Sequence, residues 1–196
     1  AQLGDVYVLA EEVEAARARL LEALKKRVED RPESPELSIA EARIATGLEG
    51  RLANILLAEM AEGADPKIAV EAGVSLPDAD EVPPELEREA EELLESLRRA
   101  GAEPPTTGVT PAARLLLKRG VAVRLAEGLF ASTNAAEAAL EEIKSVCREE
   151  GEITLAGFRD RLGTSRKYAQ AWLEYSDEMG VTRRVGDARI LTRRHR

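Results

Sequence analysis

A unit of about 60 residues recurs along this chain: a long amphipathic helical run, one or two shorter ones, then two short apolar segments around a glycine turn. In the first copy, residues 11–29 place Leu20, Leu21, Leu24 and Val28 at helical spacing. Ser38 then opens a short helix through Thr46 by its N-cap preference, and Gly47 closes it. A third run, residues 48–62, carries Leu52, Leu56 and Met60 on one face, and apolar pieces follow at 68–70 and 74–76. That order, helix, short helix, helix, weak strands, is the order of a winged helix.

Residues 79–84 are acidic and proline-bearing, which suits a boundary. In the second copy, residues 85–100 turn Leu86, Leu93, Leu94 and Leu97 inward, and a loop with Pro104 and Pro105 leads to a short helix at 111–119. Strands at 121–125 and 129–131 flank Gly128, and a middle helix is missing from the pattern. The third copy opens with Asn134 and Glu137, spaced like a capping box, and its helix buries Ala136, Leu140, Ile143 and Cys147. A short strand at 152–154 comes next. Thr154 is placed to cap a helix at 155–162, and Thr164 or Ser165 another that runs to Met179. Segments 181–185 and 188–192 flank Gly186-Asp187, a two-residue hairpin turn that would be the wing.

The expected fold class is therefore mainly α with small β-hairpins, in tandem winged-helix domains. The expected divisions are 1–10, a remnant strand of a preceding unit or a cloning scar; 11–79, a winged helix; 84–133, a shortened one; and 134–196, a basic RNA-binding one. Composition agrees, because aromatics are only 3% while Ala and Leu abound, a balance that disfavours a large β-sandwich or barrel. No stretch approaches about 18 uninterrupted apolar residues, so no membrane span is expected. The first residue is Ala rather than Met, as expected of a fragment or a trimmed product.

Catalysis finds little to work with. One Cys excludes an internal disulfide, and with one His it excludes a His/Cys zinc site within the chain. The single His195 is penultimate, and no phosphate-binding or dinucleotide glycine fingerprint is present. The carboxylates are scattered along helix faces. The expectation is a protein that is not an enzyme by itself, with no metal site and no cofactor.

Charge is divided unevenly. Residues 153–196 hold ten Lys and Arg against five Asp and Glu, a net of +5, whereas the other 152 residues hold 18 against 32, a net of −14. An acidic body repels polyanions and a basic end can hold one. Within that end, Arg166 and Lys167 follow Thr164 and Ser165 in a first helical turn, where the helix dipole prefers anions. A phosphate there would meet free backbone N–H groups and both cations; the competing reading pairs them with Asp160 or Glu174. Tyr168 can stack on a base or pack, Trp172 and Leu173 read as core, and Cys147 as inert packing. On the wing, Arg183, Arg184 and Arg189 bracket Gly186, whose lack of a side chain lets a phosphate chain approach. Asp187 serves the turn, and Arg193, Arg194 and Arg196 add diffuse attraction or nothing.

At these residues a resemblance becomes specific. The stretch 153–160, then Thr164-Ser165-Arg166-Lys167-Tyr168-Ala169, Leu173-Glu174-Tyr175, and Gly180-Val181-Thr182-Arg183-Arg184-Val185-Gly186-Asp187 with Arg189, resembles the last winged helix of the SelB family of bacterial selenocysteine-specific elongation factors. The similarity spans roughly residues 11–192 and is strong only after Ile153. It implies that the last winged helix grips the selenocysteine insertion (SECIS) hairpin in mRNA, with Thr164, Ser165, Arg166, Lys167, Tyr168, Arg183, Arg184, Gly186 and Arg189 as RNA-binding residues. It further implies a cytoplasmic parent protein whose GTPase portion binds GTP and selenocysteyl-tRNA and acts on the ribosome at an in-frame UGA codon. Residues 4–8 would then close an earlier unit.

Two other classes stay open at this stage: a DNA-binding winged helix of a transcription regulator, and a winged-helix protein-interaction array. Cations confined to the first turn, followed by Glu174, Asp177 and Glu178, disfavour insertion of that helix into a DNA major groove. Two further expectations follow from the charge division. A fragment starting near Asn134 would retain most hairpin binding, and the acidic body would be a stiff spacer.

Overall fold

The computed structural model describes residues 2–3, 6–7, 9–63, 67–77, 79 and 81–195. The chain divides into two compact units, Ala1–Pro84 and Glu85–Arg196.

The first unit opens with β1 (Gln2–Leu3) antiparallel to β2 (Val6–Tyr7). Of the expected closing strand at 4–8, Gly4, Asp5 and Val8 lie outside the described residues. Then come α1 (Ala10–Asp30), α2 (Ile39–Thr46), α3 (Gly50–Glu62) and the strands β3 (Ala69–Val70) and β4 (Val74–Ser75). β3 and β4 pair antiparallel, and Leu37 bridges to Val74 as a third rung, which completes a winged helix. Along α1 the buried residues Val13, Ala16, Leu20 and Leu24 recur at three- and four-residue spacing and meet Leu56, Leu57 and Met60 of α3.

The short helix α2 holds its place through its ends. Ser38 Oγ accepts from the Glu41 N–H while Glu41 accepts from the Ser38 N–H, a closed capping box. Those hydrogen bonds from Ser38, with Arg27 adding to them, hold the Glu41 carboxyl below its ordinary range. At the other end Gly47 takes φ of +68°, and Arg19 donates twice to the Thr46 carbonyl, at 2.6 and 3.1 Å.

The second unit holds two winged helices. The first of them comprises α4 (Pro84–Ala100), α5 (Pro111–Lys118), β5 (Ala122–Ala126) and β6 (Leu129–Ser132), with Thr106 bridged to Leu129 as its third rung. Where a middle helix would stand, Thr107 and Gly108 both donate their N–H groups to the Gly128 carbonyl, so the loop is fastened to the hairpin turn instead. The second comprises α6 (Thr133–Glu150), β7 (Ile153–Thr154), α7 (Leu155–Leu162), α8 (Arg166–Glu178), β8 (Thr182–Val185) and β9 (Ala188–Leu191), its sheet ordered β7-β9-β8.

Two particulars differ from the expectation. Helix α6 is capped by Ser132, whose Oγ accepts from the Ala135 N–H, rather than by Asn134, because β6 runs straight into the helix. The basic winged helix also does not own its core. Leu125, Leu129 and Ala131 of the preceding hairpin belong to the same buried cluster as Ile143, Phe158, Trp172, Leu173, Val181 and Leu191. Strand β6 is buried at all four positions, which is what a strand packed on both faces requires. Within residues 85–196 the two winged helices form one hydrophobic body.

Candidate nucleic-acid interface

Helix α8 is the centre of the basic winged helix. Ala169, Trp172, Leu173 and Ser176 are buried, while Arg166, Lys167, Gln170 and Glu174 are exposed, so one polar stripe faces outward along it. Trp172 is fully buried, meets Tyr175 edge-on at 6.3 Å between ring centroids, and donates its indole N–H to the Ala102 carbonyl at 2.9 Å. That bond fixes α8 against the loop that precedes α5. Burial, and then the Glu178 charge, push the Tyr175 hydroxyl above its ordinary range.

An open groove of about 440 Å³ runs between α8, the start of α7 and the wing. Arg159, Arg166, Arg184 and Arg189 line it from four separate positions, together with Thr154, Gln170, Glu174 and Asp187. Thr154, which lines the groove, also caps α7 by accepting from the Gly157 N–H. On the wing, Arg184 donates Nε to the Gly186 carbonyl at 3.1 Å and stays exposed beside Arg183, Val185 and Asp187. Gly186 turns at φ of +61°, a conformation that favours glycine, and open space surrounds the position a side chain would take. This surface can hold phosphate oxygens through guanidinium forks spread over one helix and one hairpin.

Not every residue expected in the site presents its charge to solvent. Arg189 is buried, and its Nε donates to Asp177 Oδ2 at 2.8 Å. Asp177 Oδ1 in turn accepts from Thr182 Oγ1 at 2.6 Å, and Thr182 shares a hydrogen bond with Ser176. This network ties both wing strands to the end of α8. Arg189 and Arg184 face each other in the β8–β9 register, so one wing arginine is committed to the fold while its neighbour is not.

The start of α8 is also occupied. Its N-cap, Ser165, makes no side-chain cap bond; instead Glu103, from the loop after α4, accepts from Thr164 Oγ1 at 2.6 Å and from the Ser165 N–H at 3.1 Å. Lys167 donates to Thr106 Oγ1 at 3.0 Å and lies 5.3 Å from the centroid of the Tyr168 ring, itself half-buried against the core. Arg166 and Lys167 therefore part company: Arg166 faces the groove and Lys167 faces the loop. Neither pairs with Asp160, which holds Arg159 at 2.6 Å, and Glu174 accepts from Gln170 at 2.8 Å.

Arg159 and Glu103 were absent from the expected site. Arg159 carries a sequence signal, since it lies in the basic stretch one helix before α8. Glu103 carries none, because it sits 61 residues from its partner in an acidic, proline-bearing loop. Nearby, Arg161 is drawn off by Glu142 and Glu149, with the Glu142 hydrogen bond raising its already high pKa. The expected terminal cation Arg196 lies outside the described residues.

Residues 145–191 match the family model described as "Elongation factor SelB, winged helix". The selenocysteine-specific elongation factor of Desulfomicrobium baculatum is 30% identical over 108 residues, covering 49% of this chain and 17% of that protein. Its counterpart from Escherichia coli (strain K12) is 47% identical over 49 residues, covering 25% of this chain and 8% of that protein. The chain thus spans less than a fifth of the length of these relatives. Among solved structures, a bacterial selenocysteine-specific elongation factor EF-Sec aligns with a TM-score of 0.51 at 21% identity, over 98% of this chain and 32% of that one. The mRNA-binding domain of elongation factor SelB from E. coli, solved in complex with SECIS RNA, aligns with a TM-score of 0.40 at 17% identity, over 93% and 98%. Residues 145–191 are thus similar to a SelB winged helix and lie at the end of a run of tandem winged helices.

Proposed function

We propose that the chain is an mRNA-binding region of a selenocysteine-specific elongation factor, and that its last winged helix grips the SECIS hairpin and so tethers the factor near an in-frame UGA codon. The observation that carries this reading is the groove in which Arg159, Arg166 and Arg184 converge, on the stretch that matches the SelB winged helix. Its cations come from α7, α8 and the wing, so they follow the path of a backbone rather than a single ligand. Exposed Glu174 and Glu178 on the later turns of α8 oppose burial of that helix in a DNA major groove. The mechanism is affinity and tethering: phosphate contacts set the register, and shape or an unstacked base sets the choice of hairpin, because A-form RNA hides its major-groove edges.

The rest of the parent protein is what the resemblance to this family implies. It would be cytoplasmic, with a GTP-binding portion, selenocysteyl-tRNA and the ribosome as its partners. No described helix is long and apolar enough to cross a membrane. Titrating the chain with a SECIS hairpin, a DNA duplex of matching sequence and an unrelated RNA tests the reading. Preference for the hairpin over both competitors is expected; preference for the duplex would replace the reading with a DNA-binding one.

A further inference from the structure

The carboxylate that caps α8 sits on the turn that carries Arg166 and Lys167. We propose that Glu103 is a built-in competitor for RNA phosphate: it holds the Thr164 hydroxyl and the Ser165 N–H in the free protein and is displaced when RNA binds. The proposal rests on the RNA-binding reading above and adds a contact that the RNA must exchange.

Four observations support it. First, Glu103 makes an anion's contacts, accepting from one hydroxyl and one backbone N–H at the positive end of a helix dipole. Helices α2, α5, α6 and α7 have a Ser or Thr N-cap that accepts from the N–H three residues on; Ser165 of α8, like the N-caps of α1 and α3, does not, and at α8 an acceptor comes instead from 61 residues away. Second, the same turn holds two cations, so one carboxylate leaves it net positive and still attractive to a polyanion. Third, Arg166 lines the groove, which places this turn beside the path assigned to the RNA backbone.

Fourth, the backbone under Glu103 is fixed while its side chain is not. The Ala102 carbonyl is bonded to Trp172, Pro104 is buried, and Thr106 bridges to Leu129. Glu103 itself is exposed, so its carboxylate can swing away without moving the chain. An internal ligand held this way acts at an effective concentration on the order of millimolar. Polyanions that place no phosphate at Thr164 and Ser165 leave the contact intact, and only RNA whose backbone reaches that turn gains the exchange.

The test uses the full chain, Glu103→Gln, and Glu137→Gln as a control that removes one exposed carboxylate from α6. Affinity for the SECIS hairpin is measured over a range of salt, and the Ser165 amide is followed by NMR with and without RNA. Glu103→Gln keeps an oxygen acceptor for folding but loses the charge. It should bind about fivefold more tightly at about 0.15 M salt with the salt slope little changed, because the same phosphates are neutralised once Glu103 has been displaced. The control should change neither, and the wild-type Ser165 amide should shift at saturating RNA.

Unchanged or weaker binding by Glu103→Gln, in a chain that does bind the hairpin, would overturn the proposal and leave Glu103 a plain helix cap. An equal gain in the control, or a stationary Ser165 amide, would overturn it too. Failure of every form to bind the hairpin would bring down the RNA reading, and this proposal with it.

Discussion

Arg189 Nε donates to Asp177 Oδ2 at 2.8 Å, with the arginine side chain only 8% exposed, while Arg184, its direct partner across the hairpin, is open to solvent. Two arginines on one wing thus do different work.

Their substitutions should separate accordingly. Arg189→Ala leaves Asp177 without one partner in a largely enclosed network, and we expect it to lower unfolding stability by about 1 to 3 kcal/mol, below the cost of breaking a fully buried pair because Asp177 is partly exposed. Arg184→Ala should stay within about 0.5 kcal/mol of the parent. In RNA titrations Arg184→Ala should instead weaken every RNA alike and flatten the salt slope by about 0.7 to 0.9. Urea unfolding and binding against salt, run on both variants, check the division; equal stability losses would show that Arg189 is not held as described.

Residues 134–196 should not behave as an independent domain. Cutting there removes Leu125, Leu129 and Ala131 from the shared core and Ala102 from Trp172. A fragment of residues 85–196 should unfold cooperatively, whereas 134–196 should be far less stable and lose hairpin affinity with its fold. Within the longer fragment, Leu129→Ala should cost about 2 to 5 kcal/mol. Circular dichroism melts of the two fragments decide it, and this outcome would replace the expectation that a fragment starting near Asn134 suffices.

The first unit should show its capping box in acid. Ser38→Ala should destabilise it by about 0.5 to 2 kcal/mol. The Glu41 carboxyl is held below its ordinary value of 4.5, so its contribution is complete above that pH and is lost as pH falls through the lower, folded value. Glu41→Gln should therefore be less stable than the parent at neutral pH and approach it on acidification. Urea midpoints from about pH 6 down to about pH 3 measure the convergence; parallel curves would mean the carboxylate contributes nothing.

Tyr168 offers a choice between two roles. Its ring is half-buried against the core and Lys167 lies over it, so a base could stack there only by displacing that ammonium. We expect Tyr168→Ala to lower stability and to leave the ratio of affinities for a correct and a base-swapped hairpin unchanged. A collapse of that ratio at unchanged stability would assign the ring to the RNA.

Cys147 should be inert. Burial first, and the charge of Glu150 second, raise its pKa, so the group stays a thiol at neutral pH. A thiol reagent should label it at the rate of unfolding, and prompt labelling of the folded chain would contradict its placement.

What the sequence determined by itself is what local chemistry decides. Leucines at helical spacing mark α1, α3 and α4; Ser38 and Thr154 mark caps; Gly186-Asp187 marks a hairpin; and ten cations after Ile153 mark the basic end. Each depends on neighbours within a few residues, where propensity and hydrogen-bond geometry act without help. The tertiary structure decided what those residues meet. Only it brought Glu103 to the start of α8, turned Lys167 to Thr106 while Arg166 faced the groove, and buried Arg189 on Asp177. Only it merged the hairpin of Leu125 and Leu129 with the core around Trp172. A pattern along one helix gives the face that must be buried but not the surface that buries it, because apolar contact is non-directional and many partners would satisfy it. Glu103 and Thr164, or Ala102 and Trp172, are joined across 61 and 70 residues, and no local rule reaches that far.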